Sequence, residues 1–452
     1  MAFRRYAPPA FNVRRFPFRK CALALALGWL GGCSGIGEVY RAPAVQTHHS
    51  QGVPHVADTG QVVQSPIPGA SRVQRVLYHA LAGRFHGRDY GLESARDAGF
   101  TAVHPWEGQD LEAFLNAART AGLATVPHYP SDAIAVRGDE FGVLAWYLDE
   151  EPTLRFARDA QSELRREFRE RRAELKTLDP LRPVFALLGP PLSRVRPQWD
   201  HWAAEGDLTA HDNYAVNEKL TQSTNPARHV ARSVSIARDL VPEDRPVWFV
   251  IQAFASEDRG WILPSAHEYR AMAMAALIHG ASGIVTFAQD SFVTRDDGVL
   301  GISPSPIADY GKDLPDYNGD GKAHRIAPED DLRGAVALWE AVADFNHYLT
   351  RLDTIPLLPN RTGLIAVSAP PTAGLDHPVR VAVKQRDGVI HVLAVNLSDQ
   401  DVEVDFRALA SVPMALESDW PYGPYRRERL SDGAWRDTIE PTGVRVYRLT
   451  DD

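Results

Sequence analysis

Cysteine is almost absent from this chain of 452 residues. Both cysteines, Cys21 and Cys33, precede residue 34, so everything beyond that point lacks a thiol. A folded region without cysteine has no disulfide, no thiolate nucleophile and no zinc–sulfur site. Those kinds of stabilisation and catalysis are therefore excluded for residues 34–452.

The chain also lacks an apolar run near its N-terminus that is long enough to span a membrane. Cys21–Leu30 is too short for that, and six basic residues precede it, which predicts a secretory signal peptide over residues 1–32. Leu30-Gly31-Gly32-Cys33 resembles the bacterial lipobox and implies acylation of Cys33; an ordinary signal peptide with an incidental cysteine is the alternative. We therefore expect a lipid-anchored protein of the bacterial cell envelope, in the outer membrane and facing the periplasm or the cell surface.

Positive charge becomes scarce once that segment is removed. The whole chain has a net charge of −9, and the removal of six basic and no acidic residues brings it to −15. A surface this acidic argues against nucleic acid as a partner of the protein body. Residues 33–72 show scattered Gly, Pro, Ser, Gln and His without an apolar period, which predicts a flexible tether.

From residue 73 onward, short apolar runs alternate with amphipathic helical segments. No Gly-x-Gly-x-x-Gly turn follows any of these runs, which argues against a doubly wound dinucleotide-binding sheet. The alternation predicts a (β/α)8 TIM barrel over residues 73–355. The eight predicted strands are Val76–Ala82, Ala102–Trp106, Ala124–Tyr129, Val143–Leu148, Val184–Leu188, Leu208–Tyr214, Val247–Ala253 and Gly283–Ala288.

The last hundred residues follow a different pattern. Beyond residue 362 the apolar residues recur with a period of two, and Asp387-Gly388 is a hairpin signal. The pattern predicts a small antiparallel β-sandwich over residues 356–452. The expected architecture is thus a barrel followed by a sandwich.

Three consecutive carboxylates follow the fourth predicted strand. The strand ends in Trp146-Tyr147-Leu148-Asp149-Glu150-Glu151, and Pro152 stops it. Active sites of α/β barrels lie at the C-terminal ends of the strands, so one of these acids is expected to act in catalysis. Strand alternation predicts that Glu151 and Asp149 share one side, and that Asp149 or Glu150 forms a salt bridge with Arg155 or Arg158.

Aromatic, histidine and amide side chains recur at the other strand ends. Aromatic faces stack on sugar rings while polar groups bind hydroxyls, so this composition predicts a carbohydrate site. The histidines of the first three strands could instead hold a metal, although no His-x-His pair supports that alternative. The candidate substrate-binding residues are His79, His104, Trp106, His128, Tyr129, Trp146, Glu150, Tyr214, Gln252, Phe254 and Trp261.

The segment AWYLDEEP resembles the Asn-Glu-Pro or Asp-Glu-Pro motif of the clan A (β/α)8 glycoside hydrolases. PVWFVIQAF and EYRAMAMAALIHGASGIVTFA resemble strands seven and eight of β-galactosidase-like members, and PTGVRVYRL resembles their accessory domains. The resemblance implies an O-glycosyl hydrolase with Glu151 as general acid/base and Glu150 in place of the preceding Asn or Asp. A carbohydrate substrate is implied, and no cofactor is required.

Strand seven departs from that pattern, because Gln252 stands where the clan has its nucleophilic Glu. Glu257 could reach back from the loop, or Asp212 or Asp290 could act as a base, or the site could bind glycan without cleaving it. Carboxyl groups about 5–5.5 Å apart indicate retention of configuration, and about 6.5–9.5 Å indicates inversion.

One further motif concerns a metal ion. Asp316, Asn318 and Asp320 occupy alternate positions before Gly321, as in the first half of a calcium-binding loop. The twelfth position is Ala327 instead of the bidentate Glu, so the loop is incomplete. A structural calcium ion and a plain Asp/Gly-rich turn are both open interpretations.

Overall fold

The structure is a computed structural model in which part of the chain is described. The described residues are 49–50, 53–54, 72–85, 88–106, 108–128, 131–192, 195–218, 225–242, 245–256, 259–289, 299–305, 313–314, 324–325, 329–361, 363–409 and 414–451. The predicted signal peptide, Cys33 and nearly all of the tether lie outside these ranges. Within them, no helix combines the length and the apolar character needed to cross a membrane.

Eight parallel strands form a closed barrel, which confirms the predicted fold. The strands, β1 to β8, are Gln74–Ala80, Ala102–Pro105, Ala124–Thr125, Trp146–Glu150, Val184–Leu188, Thr209–Asp212, Val247–Gln252 and Gly283–Phe287. In the sheet they follow the order β3-β2-β1-β8-β7-β6-β5-β4, and parallel bridges Thr125–Val143 and His128–Tyr147 join β3 to β4.

Helices cover the outside of the barrel. Helix α2 shows the sequence signals well, since Asp110 caps its N-terminus through Ala113 N (2.9 Å) and Gly122 ends it with φ 76°. The helices, α1 to α9, are Glu93–Asp97, Leu111–Ala121, Asp132–Ala135, Pro152–Arg155, Gln161–Leu178, Arg196–Trp202, Pro226–Leu240, Ala266–Ile278 and Glu329–Leu352. Within the described ranges, 3-10 helices span Arg158–Ala160 and Ile355–Leu357.

Large side chains fill the barrel interior. Tyr78, Tyr147, Phe185 and Trp248 pack there against aliphatic residues of the other strands. The space left between them is only about 10 Å³, too small for a ligand. No ligand can therefore bind inside the barrel.

Two antiparallel sheets form the C-terminal region, as predicted. Their strands, β9 to β16, are Ile365–Ser368, Val379–Arg386, Val389–Asn396, Val402–Ala408, Met414–Ser418, Arg427–Leu430, Ala434–Ile439 and Val444–Asp451. One sheet has the order β9-β12-β15 and the other β10-β11-β16-β13-β14, with Phe406, Trp435 and Tyr447 packed between them. Short two-stranded pairs elsewhere are His49–Ser50 with Val53–Pro54, Gly83–Phe85 with Arg88–Tyr90, Phe254–Ala255 with Leu300–Gly301, and Asp313–Leu314 with His324–Arg325.

Helix α8 lies between the barrel and the sandwich. Residues 271–278 are each at most 1% exposed, and α8 contacts β7 of the barrel and β10, β11 and β16 of the sandwich. Asn225 reinforces this junction: it caps α7 through Ala227 N and donates to the carbonyl oxygens of Asn396 (3.2 Å) and Ser398 (3.0 Å). Barrel and sandwich thus share one continuous core.

Replacing Asn225 by Ala is expected to lower the free energy of unfolding by about 2–3 kcal/mol, because the cap and two buried hydrogen bonds are lost together. Asp110→Ala is the matched control, since Asp110 is an exposed cap without an interdomain bond; it should cost only about 1 kcal/mol. Urea unfolding measures both. Equal losses in the two variants would show that Asn225 contributes nothing beyond its cap.

Candidate active site

The acids after β4 do not alternate as the sequence predicts. The pairing of β4 with β5 shifts register between Tyr147 and Asp149, and Glu151 adopts left-handed backbone angles (φ 48°, ψ 43°). Asp149 consequently points outward to Arg171, with Nη2 to Oδ2 at 2.8 Å. Glu150 and Glu151 lie at the barrel mouth, defined here as the end formed by the last residues of β1–β8. The prediction that Glu151 and Asp149 share a side was wrong.

Glu151 meets a second carboxyl group, that of Asp212 at the end of β6. The two side chains share a hydrogen bond, and Asp212 is only 4% exposed. Burial, followed by the charge of Glu151 and this hydrogen bond, raises the pKa of Asp212 well above its ordinary value. Adjacent carboxyl groups cannot both ionise at low cost, so the pair retains a proton to a higher pH than a lone carboxyl group does.

Arg155, on the short helix α4, faces the same acids. Its Nη2 lies 2.7 Å from Glu150 Oε1, and its Nε lies 3.5 Å from Glu151 Oε2. The predicted salt bridge between Glu150 and Arg155 is thus confirmed. The arrangement places one cation beside the two glutamates that precede Pro152.

Replacing Asp212 by Asn is expected to stabilise the protein progressively as the pH rises. The stabilising contribution of a group with a raised pKa is complete below the pKa of the unfolded residue, about 3.9 for Asp, and is lost as the pH rises through the folded pKa. Asn does not titrate, so the variant does not lose the stability that the wild type loses, which amounts to as much as about 1.4 kcal/mol per pH unit.

Urea unfolding at pH 4 and pH 7 tests this expectation. The free energy of unfolding of Asp212→Asn, compared with that of the wild type, should be higher at pH 7 than at pH 4. Asp97→Asn serves as the control, because the side chain of Asp97 is 67% exposed; it should show no such change. An Asp212→Asn effect of equal size at both pH values would contradict a proton on this pair.

An arc of aromatic rings borders the mouth beside these acids. Tyr214 packs edge-on against Phe254 (4.8 Å between centroids) and Trp261 (5.3 Å), and Phe287 links Tyr214 (5.7 Å) to His79 (5.2 Å). Phe254 is fully buried and supports the others from behind. Predicted as substrate-binding, Phe254 therefore does not line the mouth.

Partial exposure identifies the side chains that a ligand could touch. Phe287 is a member that the sequence analysis missed, although the end of the eighth predicted strand pointed to it. The partly exposed residues at the mouth are His79, Trp106, His128, Glu150, Glu151, Tyr214, Trp261 and Phe287. Each of them except Phe287 was among the predicted site residues.

The three histidines form a row of neutral rings. Burial lowers the pKa of His79 to about 3 and that of His128 to about 4, and lowers the pKa of His104 well below its ordinary value. His104 stacks on Tyr78 (4.1 Å) and is only 1% exposed, so it cannot touch a substrate as predicted. Within the described ranges, no group of three His, Cys, Asp or Glu side chains is arranged to hold a metal ion.

Two other predicted site residues, Trp146 and Gln252, form their hydrogen bonds away from the mouth. Trp146 is fully buried between barrel and helices, and its Nε1 donates to Asp179 Oδ2 (2.8 Å), because Tyr147 and not Trp146 faces the barrel interior. Gln252 is also fully buried: its Nε2 donates to the carbonyl oxygens of Val216 (2.9 Å) and Ile262 (3.0 Å), and its Oε1 accepts from Val216 N (2.9 Å). Neither side chain lines the mouth.

The remaining predicted site residues lie outside the described residues. They are the candidate acids Glu257 and Asp290, the aromatic Tyr129, and the calcium-loop residues Asp316, Asn318 and Asp320.

A cavity of about 700 Å³ lies between the loop that follows β7 and helix α9. Trp261 lines this cavity and also belongs to the aromatic arc. Leu263 and Leu338 contribute apolar surface, while Glu218 and Asp331 contribute carboxylates. Glu151 and Asp212 are not among its lining residues, so the cavity is a separate space beside the carboxyl pair.

No family model matches the chain, and no curated protein matches it. Solved structures with a similar course include alpha-L-arabinofuranosidase from Thermotoga maritima (9% identity, 87% of this chain and 98% of the other, TM-score 0.47) and AmyP (14%, 84% and 97%, 0.43). The endo-beta-1,4-mannanase from Thermotoga petrophila is another (14%, 84% and 96%, 0.37). With TM-scores below 0.5, these likenesses support no inference about chemistry.

Proposed function

We propose that this protein is a glycoside hydrolase of the bacterial cell envelope that cleaves O-glycosidic bonds in an oligo- or polysaccharide, with Glu151 as the proton donor. The observation that carries the proposal is the hydrogen-bonded pair of Glu151 and Asp212 at the barrel mouth. A general acid must hold a proton near neutral pH, and contact between two carboxyl groups, one of them buried, favours retention of a proton by the pair.

The surroundings of the pair suit a sugar. Tyr214, Trp261 and Phe287 present partly exposed aromatic surface that can stack on pyranose faces, while Glu150 and Glu151 can accept hydrogen bonds from hydroxyl groups. The barrel interior is too full for a sugar, and active sites of α/β barrels lie at this end, which supports binding at the mouth.

Asp212 does not suit the role of base in an inverting reaction. Inverting enzymes keep their carboxyl groups about 6.5–9.5 Å apart so that a water molecule fits between them. Asp212 and Glu151 are in direct hydrogen-bond contact, which leaves no such room. We assign the second catalytic carboxylate to Glu257 or Asp290, which follow strands seven and eight.

The proposed location rests on the N-terminal sequence. The basic segment, the apolar run and Leu30-Gly31-Gly32-Cys33 support lipid anchoring at Cys33. Metabolic labelling with a palmitate analogue tests it: the wild-type chain should incorporate label, and Cys33→Ser should not.

A second candidate function is glycan binding without cleavage. Gln252 favours it, because this amide stands where the resembled enzymes have a nucleophile and is fully used in bonds to loop backbone. Such a protein would bind oligosaccharides saturably and release no product.

Incubation with a panel of bacterial and plant glycans separates the two functions. We expect the wild-type chain to release new reducing ends from at least one glycan. Saturable binding by the same protein without any new reducing ends would establish the binding function instead.

A further inference from the structure

We infer that Asp212 is a positioning residue that stores the proton that Glu151 delivers to the substrate. In the resting site the proton of the pair lies on Asp212. This assignment rests on the proposed function and adds to it, because it gives a role to a strand-six carboxyl group that the substrate does not contact.

Exposure separates the two members of the pair. The side chain of Glu151 is 22% exposed at the mouth, whereas Asp212 is only 4% exposed and lies deeper. One oxygen of Asp212, Oδ1, is buried and forms no hydrogen bond with any described group. A substrate can therefore meet Glu151 directly and Asp212 only through Glu151.

The charges around the pair place the proton on Asp212. Arg155 Nε lies 3.5 Å from Glu151 Oε2 and favours a carboxylate there, while no described basic side chain forms an ion pair with Asp212. Glu150, at the end of β4, is a further acid near the pair. Its Oε1 lies 2.7 Å from Arg155 Nη2, closer than Glu151 lies to Arg155, so the arginine offsets the charge of Glu150 first. A carboxyl group that is buried without a cation keeps its proton.

The other titratable groups near the pair do not change which of the two carboxyl groups holds the proton. Burial, followed by the charges of Asp212 and Glu151, raises the pKa of Tyr214, on the segment after β6. Burial, followed by the charge of Glu150, raises the pKa of Tyr147 on β4. Both tyrosines are therefore neutral. The Tyr78 hydroxyl, on β1, donates to the Tyr147 hydroxyl (3.3 Å). Burial lowers the pKa of His128 to about 4, so His128 is uncharged at pH 7.

The proposed steps conserve atoms and charge. The proton on Asp212 passes along the hydrogen bond to an oxygen of Glu151. Glu151 then gives it to the glycosidic oxygen as the C–O bond breaks and its electron pair moves to that oxygen. A water molecule supplies the hydroxyl group that ends on the anomeric carbon, and the second proton of that water returns to the pair.

The pH dependence of kcat/KM tests the role of Asp212. In the wild type the pair retains its proton to high pH, so kcat/KM should begin to fall only at high pH on the basic limb of the profile. Asn keeps the shape of the Asp212 side chain, but it has no acidic proton to share with Glu151. We expect the limb to move down by about two pH units, with activity at pH 7 lower by up to about 10²-fold.

Asp149→Asn is the matched control, because Asp149 lies at the end of the same strand but points out to Arg171; its profile should match wild type. Phenyl and 2,4-dinitrophenyl β-galactosides and β-glucosides extend the test. Because a dinitrophenolate leaves without protonation, both Asp212→Asn and Glu151→Gln should be impaired far more on phenyl glycosides. An unshifted limb in Asp212→Asn would overturn the inference. So would a Glu151→Gln variant impaired equally on both leaving groups, since Glu151 would then not be the proton donor.

The proton itself can be observed without substrate. Infrared difference spectra of the full chain at pH 7, wild type minus Asp212→Asn, should show the carbonyl stretch of one neutral carboxylic acid. Absence of that band would overturn the inference even if glycans are cleaved. Presence of the band together with no turnover on any glycan would reject the hydrolase and leave the proton assignment intact.

Discussion

Replacing Glu151 by Gln is expected to lower kcat by about 10²–10⁴-fold on glycans, the usual contribution of a general acid. Gln fits the same space and the same left-handed backbone position, but it has no proton to give. The KM value should change little, because Tyr214, Trp261 and Phe287 still offer their aromatic surface. Initial rates of reducing-end release over a range of glycan concentrations measure both constants.

Asp149→Asn provides the comparison for this variant, since it removes a neighbouring carboxylate that faces Arg171 and not the mouth. We expect it to retain nearly full activity. Full activity in Glu151→Gln would sink the assignment of Glu151 as proton donor, whatever the behaviour of Asp149→Asn.

Replacing Gln252 by Glu is expected to destabilise the protein without activating it. The Gln252 Nε2 group faces the carbonyl oxygens of Val216, Ile262 and Phe254, so a carboxylate oxygen there would meet acceptors where the amide now donates. An uncompensated buried charge costs on the order of 3–5 kcal/mol. The glutamate would therefore disrupt the loops near residues 216 and 262 and would not act as a nucleophile.

Urea unfolding and glycan hydrolysis together test this second expectation. Gln385→Glu is the control, because Gln385 is exposed on the sandwich, and its effect should stay within about 0.5 kcal/mol. A gain of activity in Gln252→Glu with little loss of stability would mean that the amide occupies a catalytic position after all.

The fold was predictable from local patterns. Apolar runs at regular spacing indicated all eight strands, and Gly122 after α2 is an example of the signals that mark where a helix ends. The site at the end of β4 followed from the general position of active sites in α/β barrels. These signals depend only on neighbouring residues, which is why the sequence carries them.

The directions of the site side chains were not predictable in the same way. A register shift near Tyr147 sends Asp149 outward and keeps Glu150 and Glu151 together, and alternation alone cannot show a shift of this kind. Gln252 receives its partners from segments distant in sequence, Val216 and Ile262. Its structural role therefore depends on loop positions that no local pattern encodes.

The contact between Glu151 and Asp212 lies between these two cases. The sequence placed both acids at strand ends, and Asp212 was a candidate base for an inverting reaction. Only the structure shows that they touch and that Asp212 is buried. The separation of two carboxyl groups depends on strand tilt and side-chain direction together.

Hydrolysis in water enriched in oxygen-18 tests the central claim most directly. The full chain would be incubated with each glycan of the panel, and the products would be weighed by mass spectrometry. We predict one solvent oxygen on each new reducing end with the wild type, and unchanged glycan with Glu151→Gln. Glycans that bind the wild-type chain but stay intact, without label, would contradict the claim that this barrel hydrolyses glycosidic bonds.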